Sequence, residues 1–169
     1  MKRKYELTDE TMELYGTTLR RIRALLDFND VKAGDLGGWV ENEDNLSHYG
    51  NAWVYGNACV YDNACVYGNA CVYNDAKIQG NAKIYGNACV YDNARVYGNA
   101  WVYDDAKIYG NAWVHYEARI YGNACVYDGA EVSGDAKIYG NAWVHDDAKI
   151  HGNAEVGGDA RVYGDAERI

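Results

Sequence analysis

Residues 50–73 read GNAWVYGNACVYDNACVYGNACVY, which is four copies of one six-residue unit. In each copy an alanine holds the third place and a valine the fifth, so both side chains point to the same side of a short strand. The residue between them points to the opposite side. Each unit opens with Gly-Asn or Asp-Asn, residue types that tolerate a positive φ and favour turns. A strand and a turn every six residues predict a solenoid.

The register continues without insertion from Asp44 to Ile169, over 126 residues or 21 units. Alanine holds the third place in every unit after the first, and valine or isoleucine holds the fifth place from Val54 to Val162. With three units per triangular coil, the 21 units make seven coils, about 34 Å long at ~4.8 Å per coil. We therefore predict an all-β protein whose residues 44–169 form a left-handed parallel β-helix. A right-handed solenoid with another coil length is the alternative.

Residues 1–43 do not follow the repeat, and we predict that they form a short β-rich cap over the first coil. Residues 18–28 fit a strand because apolar and charged side chains alternate there, and residues 5–15 supply a partner strand. The apolar residues Leu19, Ile22 and Leu26 would also suit a helix. A catalytic N-terminal domain is the alternative to a cap.

Two segments of this region, DFNDVKAG at residues 27–34 and GGWV at residues 37–40, resemble the N-terminal part of YdcK-like bacterial and phage hexapeptide-repeat proteins. The repeats follow these segments in the same order. The resemblance implies a left-handed β-helix and a phage or prophage origin. Members of this family are often labelled acyltransferases, but the family brings no catalytic motif to these positions.

Charge and composition restrict the partners and the compartment. The net charge of −9 argues against a nucleic-acid backbone or an anionic membrane as the main partner. No apolar run approaches the ~20 residues of a membrane span. The first six residues are basic but are not followed by the apolar stretch of a signal peptide. With five cysteines that show no disulfide framework, these features predict a cytoplasmic protein.

Residues 18 apart stack on one face of the predicted solenoid, and this decides the cysteine question. Cys59, Cys65 and Cys71 look clustered in sequence, but the six-residue spacing puts them on three different faces. They cannot share one metal ion within a monomer. Only Cys71 and Cys89 are stacked neighbours, and cytoplasmic thiols should stay reduced. We therefore predict neither a metal centre nor a cofactor.

The outward column that contains Trp113 defines face three. It reads Cys59, Lys77, Arg95, Trp113, Glu131, Lys149 and Glu167. Trp113 follows Arg95 in this column, which suits a cation–π contact. Glu131, Lys149 and Glu167 alternate in sign, which predicts ion pairs between coils.

Face three departs most from the repeat, so we predict that it is the binding surface. Its sixth-position column reads Tyr61, Gln79, Tyr97, His115, Ser133, His151 and Ile169, whereas the other two are nearly all tyrosine. The turn that leads into it, which we call the acidic edge, carries Asp75, Asp92, Asp128, Asp146, Asp147 and Asp165. The predicted binding residues are Trp113, His115, Asp128, Asp146, Asp147 and His151. Neutral drift of the repeat is the alternative explanation.

We assign no catalytic residue. Hexapeptide acyltransferases use a histidine general base beside a pocket between subunits, so His115 and His151 are the candidates for that role. Such enzymes also have a protruding loop and a C-terminal helix that bind coenzyme A, and the repeat here contains neither. His145 beside Asp146 and Asp147 is a candidate ligand set for a divalent cation.

Three functions fit these observations. The first is a non-catalytic binding or scaffold protein, which in a phage could act by occluding a bacterial protein such as a defence factor. The alternative is a hexapeptide acyltransferase that uses an acyl-coenzyme A donor. The third is an acidic DNA mimic, but 16 acidic and 9 basic residues in the repeats give one net charge per ~5 Å, against one per ~1.7 Å in DNA.

We expect a protein partner and a homo-oligomer. Tryptophans on the outside of the repeat favour self-association, because exposed aromatic clusters often mark interfaces. No capping segment follows Ile169, and an open sheet edge also favours pairing with another chain. We expect a dimer rather than a trimer.

Overall fold

The computed structural model describes residues 2–169 and confirms the predicted β-solenoid. Three strands come first: β1 (Tyr5–Leu14), β2 (Thr17–Ala24) and β3 (Leu36–Val40). One 3-10 turn, Glu43–Asn45, follows. Twenty two-residue strands then occur one every six residues, from β4 (Trp53–Val54) to β23 (Glu167–Arg168). Each of these short strands occupies the fourth and fifth places of its repeat unit. No α-helix occurs in this part of the chain.

The short strands stack into three parallel sheets, one for each face. Residues 18 apart pair in register, so Trp101 lies between Lys83 and Arg119. Face one is the six-stranded sheet from β6 to β21, and face two is the seven-stranded sheet from β4 to β22. Face three runs from β5 to β23 and is extended by the three N-terminal strands into a ten-stranded sheet. The seven rungs of face two match the expected number of coils.

The interior is a narrow stack of alanine and β-branched residues. Ala106 and Ile108, for example, are fully buried, as are nearly all their counterparts in other coils. Alanine at the third place keeps the buried volume of each unit small. The backbone turns at the first place of each unit with a positive φ, which is +70° at Gly98 and +57° at Asp146. Glycine and aspartate thus serve the same turn.

The N-terminal segment covers the first coil and continues face three. Strands β1 and β2 form an antiparallel hairpin, β2 pairs antiparallel with β3, and β3 pairs in parallel with β5. The hydroxyl of Tyr5 donates to the carbonyl of Leu46 at 2.7 Å, and Lys4 Nζ donates to the carbonyl of Ala52 at 2.7 Å. The strand expected at residues 18–28 ends at Ala24, and the helical alternative for this segment is wrong.

The same segment buries a tryptophan that the repeat places on the outside. Trp53 occupies the outward fourth place of its unit, yet only 1% of its surface is exposed. The rings of Phe28 and Tyr5 pack edge-on against it, with centroids 5.3 and 6.1 Å away. Trp53 therefore belongs to the core between the cap and face two.

None of the helical segments in residues 2–169 has the length and apolar character needed to cross a membrane.

Candidate functional site

Trp113 is an exposed aromatic side chain in the middle of face three. It pairs in register with Arg95 on one side and Glu131 on the other. The Arg95 guanidinium carbon lies 5.4 Å from the centroid of the indole ring, which makes the cation–π contact predicted from the sequence. The ring of Tyr97 meets the indole edge-on. These contacts fix the orientation of Trp113 while 43% of its surface stays exposed.

His115 is nearly buried beside this tryptophan, with 8% of its surface exposed. Its ring stacks on Tyr97 with centroids 4.8 Å apart, and its Nε2 atom lies 2.8 Å from Oε1 of Glu131. His151 makes the same contact with Glu167 at 2.6 Å. A histidine in the sixth place of one coil therefore reaches the carboxylate in the fourth place of the next coil.

This contact changes the expectation for the charged column. The alternating signs of Glu131, Lys149 and Glu167 predict ion pairs along the column, but both carboxylates contact histidines of the neighbouring column instead. The imidazole is shorter than a lysine side chain, and that of His115 is already held by ring stacking on Tyr97. Less side-chain entropy is therefore lost when it binds the carboxylate.

A second group of side chains converges at the acidic edge. Ligand-type atoms of Asp128, His145 and Asp146 all lie within 4.8 Å of one another. The His145 ring stacks on Tyr127, and its Nδ1 atom is 3.4 Å from Oδ1 of Asp146. A hydrogen bond from the backbone N–H of Gly164, and then the contact with His145, lower the pKa of Asp146. Two carboxylates and an imidazole are ligands that divalent cations accept.

Asp147 lies in the same turn as Asp146 and is exposed. Its Oδ1 atom occupies the space next to Gly129 of the preceding coil, where an added Cβ would lie 2.5 Å away. Glycine at position 129 therefore makes room for this carboxylate. The other coils have asparagine or aspartate at the equivalent position, as in the hydrogen bond that Asn57 donates to Asp75, so glycine is specific to this part of the edge.

The six residues predicted for binding thus fall into two groups. Trp113, His115 and His151 lie on face three. Asp128, Asp146 and Asp147 lie at the turn before it. Sequence reasoning left two participants out of its binding set, His145 and Glu131. The signal for His145 was available, because Asp128 and Asp146 are 18 residues apart and must stack. No such signal was available for Glu131. The repeat determines which residues stack in one column, but it does not determine which side chains of different columns make contact.

A groove lies apart from both groups, between a loop of the cap and the corner of face two. Its volume is about 480 Å³. The residues that line it are Asn29, Asp30, Tyr55, Gly56, Cys71, Tyr73, Asn74 and Cys89. The hydroxyl of Tyr55 donates to Asp30 Oδ1 at 2.8 Å, which ties the cap loop to the solenoid at this point.

Comparison with known proteins agrees with the repeat architecture. The sequence pattern of the YdcK beta-solenoid repeat matches residues 88–104 and 118–134. A 60-residue alignment is 43% identical to a protein of Escherichia coli (strain K12) named "Uncharacterized acetyltransferase YdcK". The alignment spans 31% of this chain and 18% of that protein, so the chain matches less than a fifth of the relative's length. Together with the seven stacked coils, these matches show that the chain is similar to YdcK-like β-solenoid repeat proteins.

Proposed function

We propose that this chain is a non-catalytic protein-binding solenoid and that its partner binds face three together with the acidic edge. The observation that carries the proposal is Trp113, an exposed indole held in one orientation by Arg95 and Tyr97. Rigid aromatic side chains that lose little entropy on binding tend to dominate the binding energy of protein interfaces.

The acidic edge gives this surface its selectivity. Asp128, Asp146 and Asp147 are all exposed at neighbouring turns. A concentrated negative edge favours a basic partner surface and increases the association rate at low salt. The proposed partner is therefore a protein with a basic rim around an apolar pocket that accepts the indole. Nucleic acids and anionic membranes would be repelled by the net charge of −9.

The proposed setting is the cytoplasm of a bacterium, with a phage or prophage as the source. The five cysteines, all present as free thiols, support a reducing compartment. The resemblance of residues 27–40 to phage proteins supports the origin. In that setting the solenoid acts by occluding a bacterial protein such as a defence factor.

A pull-down with the full chain from a bacterial lysate, read by mass spectrometry, provides the partner for the test. Melting temperature and affinity are then measured for Trp113→Ala, for Asp146→Asn combined with Asp147→Asn, and for Trp101→Ala on face one. Trp53 is unsuitable as a control because the cap buries it. We expect Trp113→Ala to weaken binding by about 30-fold with little change in melting temperature. Weakening by Trp101→Ala alone would show that the binding face is a different one.

A second candidate function is acyl transfer from an acyl-coenzyme A. Two observations favour it: the name of the relative from E. coli, and the His115–Glu131 contact, which resembles a general base oriented by a carboxylate. Against it, His115 is nearly buried between its neighbours, and the groove described above is lined by other residues.

We expect no turnover of acetyl-coenzyme A with amine acceptors. Release of free coenzyme A is the measurement, with His115→Ala and His151→Ala as variants. Turnover by the unmodified protein that either variant abolishes would replace the binding proposal by an enzymatic one.

A further inference from the structure

The groove beside the cap contains two thiols. Cys71 and Cys89 lie in the same column of face two, and both are half-buried. Tyr55 and Tyr73 line the groove beside them, and the cap residues Asn29 and Asp30 line it from the other side. This feature lies outside the face proposed for partner binding.

The spacing of the two thiols is set by the backbone. Cys71 and Cys89 pair in register on the neighbouring parallel strands β7 (Cys71–Val72) and β10 (Cys89–Val90). Such strands are ~4.8 Å apart. A metal–thiolate bond is about 2.3 Å long in zinc sites. Two such bonds to one ion midway between the sulfur atoms span ~4.6 Å. This length is close to the strand spacing of ~4.8 Å, so the two sulfur atoms can bind the same ion without displacing the backbone.

The donor set selects the kind of ion. Thiolate sulfur is a soft ligand that prefers ions such as Cu(I). Within residues 2–169, the three-member clusters of His, Cys, Asp and Glu ligands include neither of these thiols. The nearby Asp30 carboxylate already accepts the Tyr55 hydroxyl. A tetrahedral zinc site needs four ligands, so the two thiols suit an ion with a coordination number of two.

Both thiols make only weak contacts in the groove. The Sγ atom of Cys71 lies 3.7 Å from the backbone carbonyl oxygen of Asn69, and that of Cys89 lies 3.7 Å from the carbonyl oxygen of Asn87. An ion between the two coils can therefore replace these contacts. Cys65 and Cys125 differ because they pair in register with residues other than cysteine.

We propose that Cys71 and Cys89 bind one thiophilic monovalent metal ion of the Cu(I) class in a two-coordinate site at the floor of this groove. Both thiols lose their protons when the ion binds, so two thiolates and one monovalent cation leave the site with one net negative charge. The tyrosine rings and the cap loop shield the ion from solvent. The sequence predicts no metal centre, and the groove was not part of that prediction, because the cap contact that forms the groove is not encoded in the repeat.

The test is an anaerobic titration of the reduced full-length protein with Cu(I), in competition with a chromogenic Cu(I) chelator. Ag(I) serves as a second, redox-inert probe. We expect one tightly bound equivalent, and an affinity at least 100-fold lower in Cys71→Ser and in Cys89→Ser. Cys125→Ser is the matched control, because Cys125 lies on the same face but its neighbours in the column are Lys107 and Trp143. It should bind as the unmodified protein does.

A second measurement keeps the test decisive if a serine variant fails to fold. In the unmodified protein, Cu(I) or Ag(I) should protect Cys71 and Cys89 from alkylation, as mapped by mass spectrometry, while Cys65 and Cys125 react as before. Binding that survives Cys89→Ser, or alkylation of both thiols at the same rate with and without metal, would overturn the proposal.

Discussion

The Nε2 atom of His115 lies 2.8 Å from Oε1 of Glu131, and the contact is repeated two coils further along between His151 and Glu167. Each pair is separated by 16 residues, two fewer than one coil. His115 occupies a place that is usually tyrosine, and it keeps the ring stacking of the tyrosine ladder while adding a hydrogen bond to a carboxylate. A departure from the repeat has thus created a specific bond between two columns.

This pair should contribute measurably to stability. His115→Phe keeps a ring on Tyr97 but removes Nε2, and Glu131→Gln removes the charge. We expect each change to destabilise the fold by about 1 kcal/mol, and the double mutant to show a coupling energy of similar size, as for a half-exposed hydrogen bond to a carboxylate. Chemical denaturation is the measurement and the exposed Asp135→Asn is the control. Additive effects of the two changes would show that the contact contributes nothing.

The narrow core should be sensitive to the loss of volume. Ile108 is fully buried, whereas the preceding Lys107 is exposed on the outside of the same strand. We expect Ile108→Ala to lower the free energy of unfolding by ~2–5 kcal/mol, as large-to-small core substitutions do. Lys107→Ala should change stability by less than ~0.5 kcal/mol. Equal costs for both variants, measured by urea unfolding, would contradict the burial pattern.

Alanine substitutions at two turn glycines can distinguish the cost of backbone strain from the cost of a steric clash. Gly98 and Gly158 have nearly the same φ, +70° and +63°. A Cβ at Gly98 would lie 2.8 Å from the backbone nitrogen of Tyr116, whereas nothing lies within 4 Å of a Cβ at Gly158. Both alanine substitutions should cost ~1–2 kcal/mol for the left-handed conformation. We expect Gly98→Ala to lower the melting temperature more than Gly158→Ala does, because only the Cβ at position 98 clashes with the next coil. Equal decreases in melting temperature would show that the coils can move apart locally.

Lys4 predicts a rise in stability with pH. Burial lowers the pKa of Lys4 from its usual value of 10.5 to about 8. Below pH 8 both the folded and the unfolded chain carry the charge. Between pH 8 and 10.5 the folded chain releases this proton while the unfolded chain retains it, so the free energy of unfolding increases. The gain should be less than the ~1.4 kcal/mol per pH unit of an unscreened group.

The comparison that isolates this effect is Lys4→Met, which keeps the apolar stem but does not titrate. Unfolding free energies of both proteins are measured between pH 8 and about 9.5, and tyrosine ionisation, which begins in this range, affects both proteins equally. The stability of the unmodified protein relative to the variant should increase over this range. A difference that is constant with pH would mean that Lys4 keeps an ordinary pKa despite its burial.

We expect the protein to form a homodimer through the exposed tryptophan of face two, Trp143. Trp113 and Trp143 are 43% and 40% exposed on neighbouring faces. Light scattering at micromolar concentration should give about twice the 18.8 kDa of the chain. Trp143→Ala should shift the mass toward the monomer, and Trp101→Ala should not, while Trp113 on face three stays available to the proposed partner. A monomer at all concentrations would contradict this expectation.

The sequence by itself determined the solenoid and its columns. The six-residue period with Ala at the third place and Val or Ile at the fifth leaves one way to bury the apolar side chains, and an 18-residue coil then fixes which residues stack. The register of Trp113 with Arg95 and of Cys71 with Cys89 follows from counting. These features could be predicted because they depend only on local periodicity, which repeats in every coil.

The tertiary structure decided what the repeat does not encode. The cap covers Trp53 and, through Asp30, closes one side of the groove at Cys71. The carboxylate of Glu131 turns toward His115 instead of along its own column. The physical reason is the same in each case. A non-repeating segment packs according to its own side chains, which the period of the repeat does not describe. A side chain at a known position in a column can still adopt rotamers that point toward different neighbours.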